Sequence, residues 1–127
     1  MNKLKKRILV VDDSATIRLY LHGLLTKWGY DVVEATTGYE GMEKALKSSY
    51  DLIVADINMP TMNGYFMVTA LRKEPGQLST PIIMSSTESK ESDAAHAYAA
   101  GANLFLVKPV HPTLLKQYVD FTIGEVA

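Results

Sequence analysis

Ile8-Leu9-Val10-Val11-Asp12-Asp13-Ser14 is the stretch on which the fold turns. Four aliphatic residues in a row, three of them β-branched, have the pattern of a strand buried on both faces of a parallel sheet. The run stops at two acids. From Ser14 the apolar spacing changes to Ile17, Leu21, Leu24, Leu25 and Trp28, which is helical, and Gly29 sits where a helix C-cap belongs. Strand, acidic loop, helix is the opening unit.

That unit recurs along the chain. Residues 32–35 read as a strand and 39–47 as a helix. Leu52-Ile53-Val54-Ala55 is another buried strand, delivered onto Asp56. Pro60, Asn63 and Gly64 break the chain before a helix over 65–72, which Pro75 and Gly76 terminate. Residues 82–84 read as a fourth strand, 89–100 as a small-residue helix ending at Gly101, 104–107 as a fifth strand and 112–126 as a last helix. Five strands alternating with five helices predict an α/β fold: a doubly wound parallel sheet with helices on both faces, connected by right-handed crossovers.

The chain has 127 residues, 47% hydrophobic and 21% charged, the balance of a soluble globular domain. No linker or low-complexity segment interrupts it, so a single domain over 1–127 with no output domain is expected. The formal net charge of −1 gives no overall field toward nucleic acid or an anionic membrane. The basic run Lys3, Lys5, Lys6 and Arg7 reads as a solvated arm leading into the first strand. With no cysteine there is no disulfide, thiolate chemistry or Cys-based zinc site. No signal-peptide core or membrane-length apolar run is present, so the expected location is the cytoplasm.

In an open α/β sheet the ligand site lies outside the carboxyl ends of the strands, where the strand order reverses. The predicted strands end in Asp12 and Asp13, in Asp56, in Ser85 and Ser86, and in Lys108, so these groups share one edge. Alone, each has a structural use as a cap or a loop residue; the convergence of four strand ends is what points to chemistry. Three carboxylates in one cleft repel one another unless a cation or a proton intervenes. Mg²⁺ is the expected cofactor, because it takes a few carboxylates and keeps room for water and a phosphate oxygen. Lys108 supplies a charge for a phosphoryl oxygen, Ser86 a hydroxyl donor, and an Asp carboxylate a nucleophile that forms an acyl phosphate. No GxxxxGK[ST] loop or GxGxxG fingerprint provides a nucleotide site, so the phosphoryl group must come from a partner or a small donor.

Val10-Val11-Asp12-Asp13-Ser14, Asp56-Ile57-Asn58-Met59-Pro60 with Asn63-Gly64, Ile83-Met84-Ser85-Ser86, and Val107-Lys108-Pro109 resemble the receiver domain of two-component response regulators, in order and spacing and over practically the whole chain. The likeness is greatest to single-domain chemotaxis regulators of the CheY type, and it implies the flavodoxin-like strand order 2-1-3-4-5. It also implies that Asp56 is the phosphoacceptor, that Asp12, Asp13, Asp56 and the backbone carbonyl of Asn58 hold Mg²⁺, that Ser86 is the switch hydroxyl and Lys108 the invariant lysine, and that Asn58 and Glu88 tune dephosphorylation. The one departure is Phe105, where chemotaxis regulators usually have tyrosine; as the switch aromatic it has no hydroxyl to offer a partner.

The implied function is a phosphorylation-activated switch. It takes its phosphoryl group from a sensor histidine kinase or a phosphotransfer protein, acts as a monomer, and presents a target-binding surface on the fourth helix, fifth strand and fifth helix. It is no enzyme beyond catalysing its own phosphorylation and dephosphorylation. A phosphorelay intermediate, passing the group to another histidine, is the alternative. An aspartyl-phosphate phosphohydrolase would need a DxDx[TV] motif at the first strand, and an FMN carrier a hydroxyl- and glycine-rich loop there; Asp12-Asp13-Ser14 is neither. His22, His96 and His111 stand at no metal-ligand spacing and read as surface or boundary residues, Met59 and Met62 as packing for the loop after Asp56, and Tyr98 as a residue near the switch face.

Overall fold

The computed structural model describes residues 5–87 and 91–124. Among them, the apolar runs form five parallel strands: β1 (Arg7–Val11), β2 (Asp31–Ala35), β3 (Leu52–Asp56), β4 (Ile82–Ser86) and β5 (Leu104–Val107). Their order is β2-β1-β3-β4-β5, the expected one. The connecting helices are α1 (Ala15–Lys27), α2 (Gly38–Lys47), α3 (Gly64–Leu71), α4 (Glu91–Ala100) and α5 (Pro112–Ile123). No helix of the described residues is long and apolar enough to cross a membrane.

Alternation along the strands sorts the core into two layers, since successive side chains leave opposite faces of a sheet. Ile8, Val10, Leu52, Val54, Ile83 and Leu106 pack with Leu21 and Leu25 of α1 and Leu115 and Val119 of α5. Leu9, Val11, Ile53, Ala55, Ile82 and Met84 pack with Ala45 of α2, Met67, Val68 and Leu71 of α3, and Ala97 of α4. Each large aliphatic side chain so buried contributes on the order of 1.5–3 kcal/mol, enough to hold a polar cluster at the strand ends.

The loops at that edge are closed by helix caps. Ser14 Oγ accepts from Ile17 N, Thr37 Oγ1 from Glu40 N, and Asn63 Oδ1 from Phe66 N, satisfying N–H groups the helices leave open. Between them the strand order reverses: β1 has β2 on one side and β3 on the other.

Element ends differ from the sequence reading by a residue or two, as fraying termini do, with three points of note. Pro75–Gln77 forms a short 3₁₀ turn after α3. The predicted start of α4 at Ser89 lies outside the described residues, where the helix begins at Glu91. The last helix is shorter than 112–126: Gly124 adopts a left-handed φ of 78° and donates to Asp120 O, capping α5 at Ile123.

Candidate functional site

Directly beyond β1, Asp12 donates its N–H to Ala35 O of β2 (3.1 Å), which holds it at the sheet edge with 1% of its surface exposed. Its Oδ1 accepts from Ser14 N (2.9 Å) and its Oδ2 from Lys108 Nζ (2.9 Å). Asp13, next in the chain, points into solvent. Asp56 ends β3, is 3% exposed, and its Oδ1 lies 3.0 Å from the same ammonium and 3.3 Å from Asn58 N. Carboxylate oxygens of Asp12, Asp13 and Asp56 all lie within 4.8 Å of one another. The structure therefore brings together the four charged residues that the strand ends predicted.

One ammonium thus serves two buried carboxylates. Burial pushes the Asp56 carboxyl above its ordinary value and the neighbouring Asp12 charge pushes it further, against the opposing pull of Lys108. Lys108 shows the complementary balance: burial works against its charge, but its hydrogen bonds and attraction to Asp12 and Asp56 win, and its pKa is raised. Lys108-Pro109 is cis.

The uncharged groups near Asp56 are Ser86 and Asn58. Ser86, at the end of β4 and 1% exposed, accepts from the Asn58 side-chain amide at 3.0 Å. Asn58 was singled out for its backbone carbonyl and for tuning; its amide bond to Ser86 is an addition from the structure. Phe105 of β5 lies across from Met84 and is half-buried against the α2–α3–α4 layer. Glu88 lies outside the described residues. The loop after Asp56 is tight: a Cβ on Gly64 would stand 2.4 Å from Asp56 O, so only glycine lets α3 begin there. Met59 and Met62 are buried in the core beneath this loop, as expected.

The three histidines take structural positions. His111 caps α5 by accepting from Thr113 N, and His96 stacks on Tyr65 with ring centroids 3.7 Å apart. His22 pairs with Glu34 at 2.7 Å. Lys5 and Lys6 are exposed, whereas Arg7 lies in β1 with its guanidinium 4.8 Å from the Tyr50 ring centroid; Lys3 is outside the described residues. Sequence reasoning missed Arg18, whose Nη1 donates to Asp12 O at 2.7 Å and whose Nε pairs with Glu34 at 3.1 Å. The available signal was its position one turn after the Ser14 cap, from which a helical side chain leans back over the preceding loop.

A parallel sheet with acids, a lysine and a buried hydroxyl at one carboxyl edge is the architecture of a receiver, and the family sequence model for the response regulator receiver domain matches residues 8–120. The chain belongs to that family and is a phosphorylation-activated response regulator. Among curated relatives, chemotaxis protein CheY1 of Helicobacter pylori is 39% identical over 121 residues, covering 93% of this chain and 97% of that protein. Among solved structures, chemotaxis protein CheY4 of Vibrio cholerae superposes with a TM-score of 0.89 at 36% identity, covering 94% of this chain and 99% of that one. The receiver domain of the sensor histidine kinase PA1611 from Pseudomonas aeruginosa matches with a TM-score of 0.89 at 25% identity, covering 96% of this chain and all of that one; it has a magnesium ion coordinated in its active-site cleft.

Proposed function

We propose that Asp56 is the phosphoacceptor of a chemotaxis response regulator, loaded by a sensor histidine kinase or phosphotransfer protein with Mg²⁺ as cofactor. The observation that carries this is the placement of a buried Asp56 carboxylate 3.0 Å from Lys108 and beside Asp12 and Asp13. The donor set is all hard oxygen, anionic and partly open to solvent, which fits Mg²⁺ and suits neither zinc nor copper. Asp12, Asp13 and Asp56, with the Asn58 carbonyl, would hold the ion. When bound, it offsets the negative charge that carboxylates and phosphoryl oxygens bring together.

An Asp56 carboxylate oxygen attacks phosphorus, the P–N bond of the donor phosphohistidine breaks, and the electron pair leaves with the imidazole. Lys108 turns from its carboxylate pair toward a phosphoryl oxygen. The Ser86 hydroxyl turns to donate to another, its oxygen still able to accept from the Asn58 amide. Charge placement and alignment supply the rate, as is general for phosphoryl transfer. The rearrangement of Ser86 frees space toward Phe105, whose change of rotamer biases α4, β5 and α5. Tyr98, Val107 and Phe121 on those elements each expose a large apolar side chain, which supports that surface as the target site. The kinship with named chemotaxis proteins favours this reading over a phosphorelay role. The protein acts as a cytoplasmic monomer and transforms no substrate but itself, with Asn58 and Glu88 setting the lifetime of the acyl phosphate.

Intact mass after incubation with acetyl phosphate and Mg²⁺ tests the reading. One labile phosphoryl adduct on the wild type, absent from Asp56→Asn and from an EDTA control, is expected. An adduct that persists in Asp56→Asn would overturn the assignment.

A further inference from the structure

Asp12 is held by four separate contacts, and Asp13 by almost none. Both oxygens of the Asp12 carboxylate are engaged, its N–H is fixed by Ala35, and its carbonyl is fixed by Arg18. Among the described residues, none donates a hydrogen bond to the Asp13 carboxylate. The position of that carboxylate therefore depends on the peptide joining Asp12 to Asp13, and the carbonyl of that peptide is the one Arg18 grips at 2.7 Å.

Arg18 is itself oriented. Its side chain is largely buried, and Nε is held by Glu34 Oε1 at 3.1 Å. The other oxygen of Glu34 meets His22 Nδ1 at 2.7 Å, one turn further along α1. Lys44 of α2 donates to the Glu34 backbone carbonyl, fixing the strand from its other neighbour. Glu34 sits opposite Val10 in the β1–β2 register, two residues before Asp12 in the chain. A planar fork that binds two acceptors at once needs arginine; a lysine ammonium is a point charge on a flexible stem.

From this we infer that Arg18, aimed by Glu34, is a positioning residue for the metal site: it sets the Asp12–Asp13 peptide and thereby aims the Asp13 carboxylate at Mg²⁺. The inference rests on the Mg²⁺ reading above. Partners that orient metal ligands from outside typically govern about 10–100-fold in metal affinity. Charge alone predicts the opposite sign for Arg18→Met, because removing a cation beside a divalent ion tightens its binding. Arg18→Met with Glu34→Gln removes one charge of each sign, so it isolates positioning from field.

The experiment is a Mg²⁺ titration of the full unphosphorylated chain, followed by amide NMR shifts, at a temperature where circular dichroism shows each variant folded. The double variant is expected to bind Mg²⁺ about tenfold more weakly than the wild type, with Arg18→Lys between the two. Wild-type affinity in both, or a tighter site in the double variant, would overturn the positioning role and leave the pair as a brace between α1 and β2. Should the double variant not fold, Arg18→Lys decides: weaker binding supports the role and unchanged binding removes it. Failure of the parent reading looks different, because then the wild type itself shows no Mg²⁺ shifts, or Asp13→Asn titrates like the wild type.

Discussion

Replacing Lys108 with methionine keeps the side-chain stem and removes the only cation among the described residues that bonds the side-chain carboxylates of Asp12 and Asp56. At an effective dielectric of ~20, each of the two contacts, at 2.9 and 3.0 Å, is worth about 5.5 kcal/mol before desolvation. Without the ammonium, two carboxylates within 4.8 Å repel by roughly 3.5 kcal/mol or more on the same scale. Against this stands the regained cost of burying the ammonium, several kcal/mol. The net expectation is a loss of about 3–5 kcal/mol, the range found when one partner of a buried pair is removed.

Two agents can relieve the strain, and they make the prediction specific. A proton on Asp56 relieves it, because Lys108 was what held that carboxyl down, so the loss should be smaller at pH 5 than at pH 8. Mg²⁺ relieves it too, by about 2.7 kcal/mol at a hundred times its dissociation constant. Urea unfolding in EDTA at both pH values, then with Mg²⁺, reads all three effects. Stability within about 0.5 kcal/mol of wild type in EDTA at pH 8, inside the scatter of ordinary surface changes, would refute the claim that Lys108 neutralises the cluster.

Asp56→Asn should be more stable than wild type at pH 7: the folded carboxyl is raised above 3.8, so its ionisation opposes folding, fully above the folded pKa and not at all below 3.8. Urea midpoints at pH 7 and pH 4 should show that advantage shrinking as pH falls. Gly64→Ala should cost about 1–3 kcal/mol and slow phosphoryl uptake from acetyl phosphate, because its Cβ would stand 2.4 Å from Asp56 O, a backbone atom that cannot step aside. Gly23→Ala, inside α1 with nothing within 4 Å of the new methyl, should instead raise stability by roughly 0.5–1 kcal/mol and leave phosphorylation unchanged. Leu25→Ala, fully buried between α1 and the sheet, should cost about 2–5 kcal/mol in thermal or urea unfolding without moving the mass-spectrometric adduct.

The central strands β1, β3 and β4 were legible because burial on both faces leaves an unmistakable apolar run, and a parallel sheet forces their ends to one edge. Asp12, Asp56 and Lys108 were readable for that reason alone: each is the first charged residue met after a buried strand or close to its end. What escaped was pairing between side chains on different elements. Nothing in the order of residues says that the Asn58 amide, rather than its carbonyl alone, would engage Ser86, or that Arg18 would reach back to Asp12. Glu34 carried a partial signal, as the one charge within Val32-Val33-Glu34-Ala35, facing the layer where α1 packs. The end of α5 was misread because apolar spacing continues to Val126 while Gly124, a stop in backbone terms, was passed over.

The resting site holds a conflict that explains its readiness. Asp12 and Asp56 are buried deeply enough that ionisation of Asp56 is disfavoured, yet on the reading proposed above its carboxylate must be ionised to attack phosphorus. On that reading a permanent second cation from the protein would remove the conflict, and with it the attraction for Mg²⁺ and the room for a phosphoryl group. Lys108 alone, shared between Asp12 and Asp56, leaves the cluster with a residual negative charge that a proton or an added cation can neutralise. Once the phosphoryl group is attached, the acceptor oxygens lie further from Asp56 along the new bond, and a long flexible lysine can follow them where a rigid guanidinium would not. On the proposed reading the same shift re-aims the Ser86 hydroxyl, so the charge imbalance at the sheet edge is converted into movement of a buried hydroxyl on β4, the strand that pairs with β5.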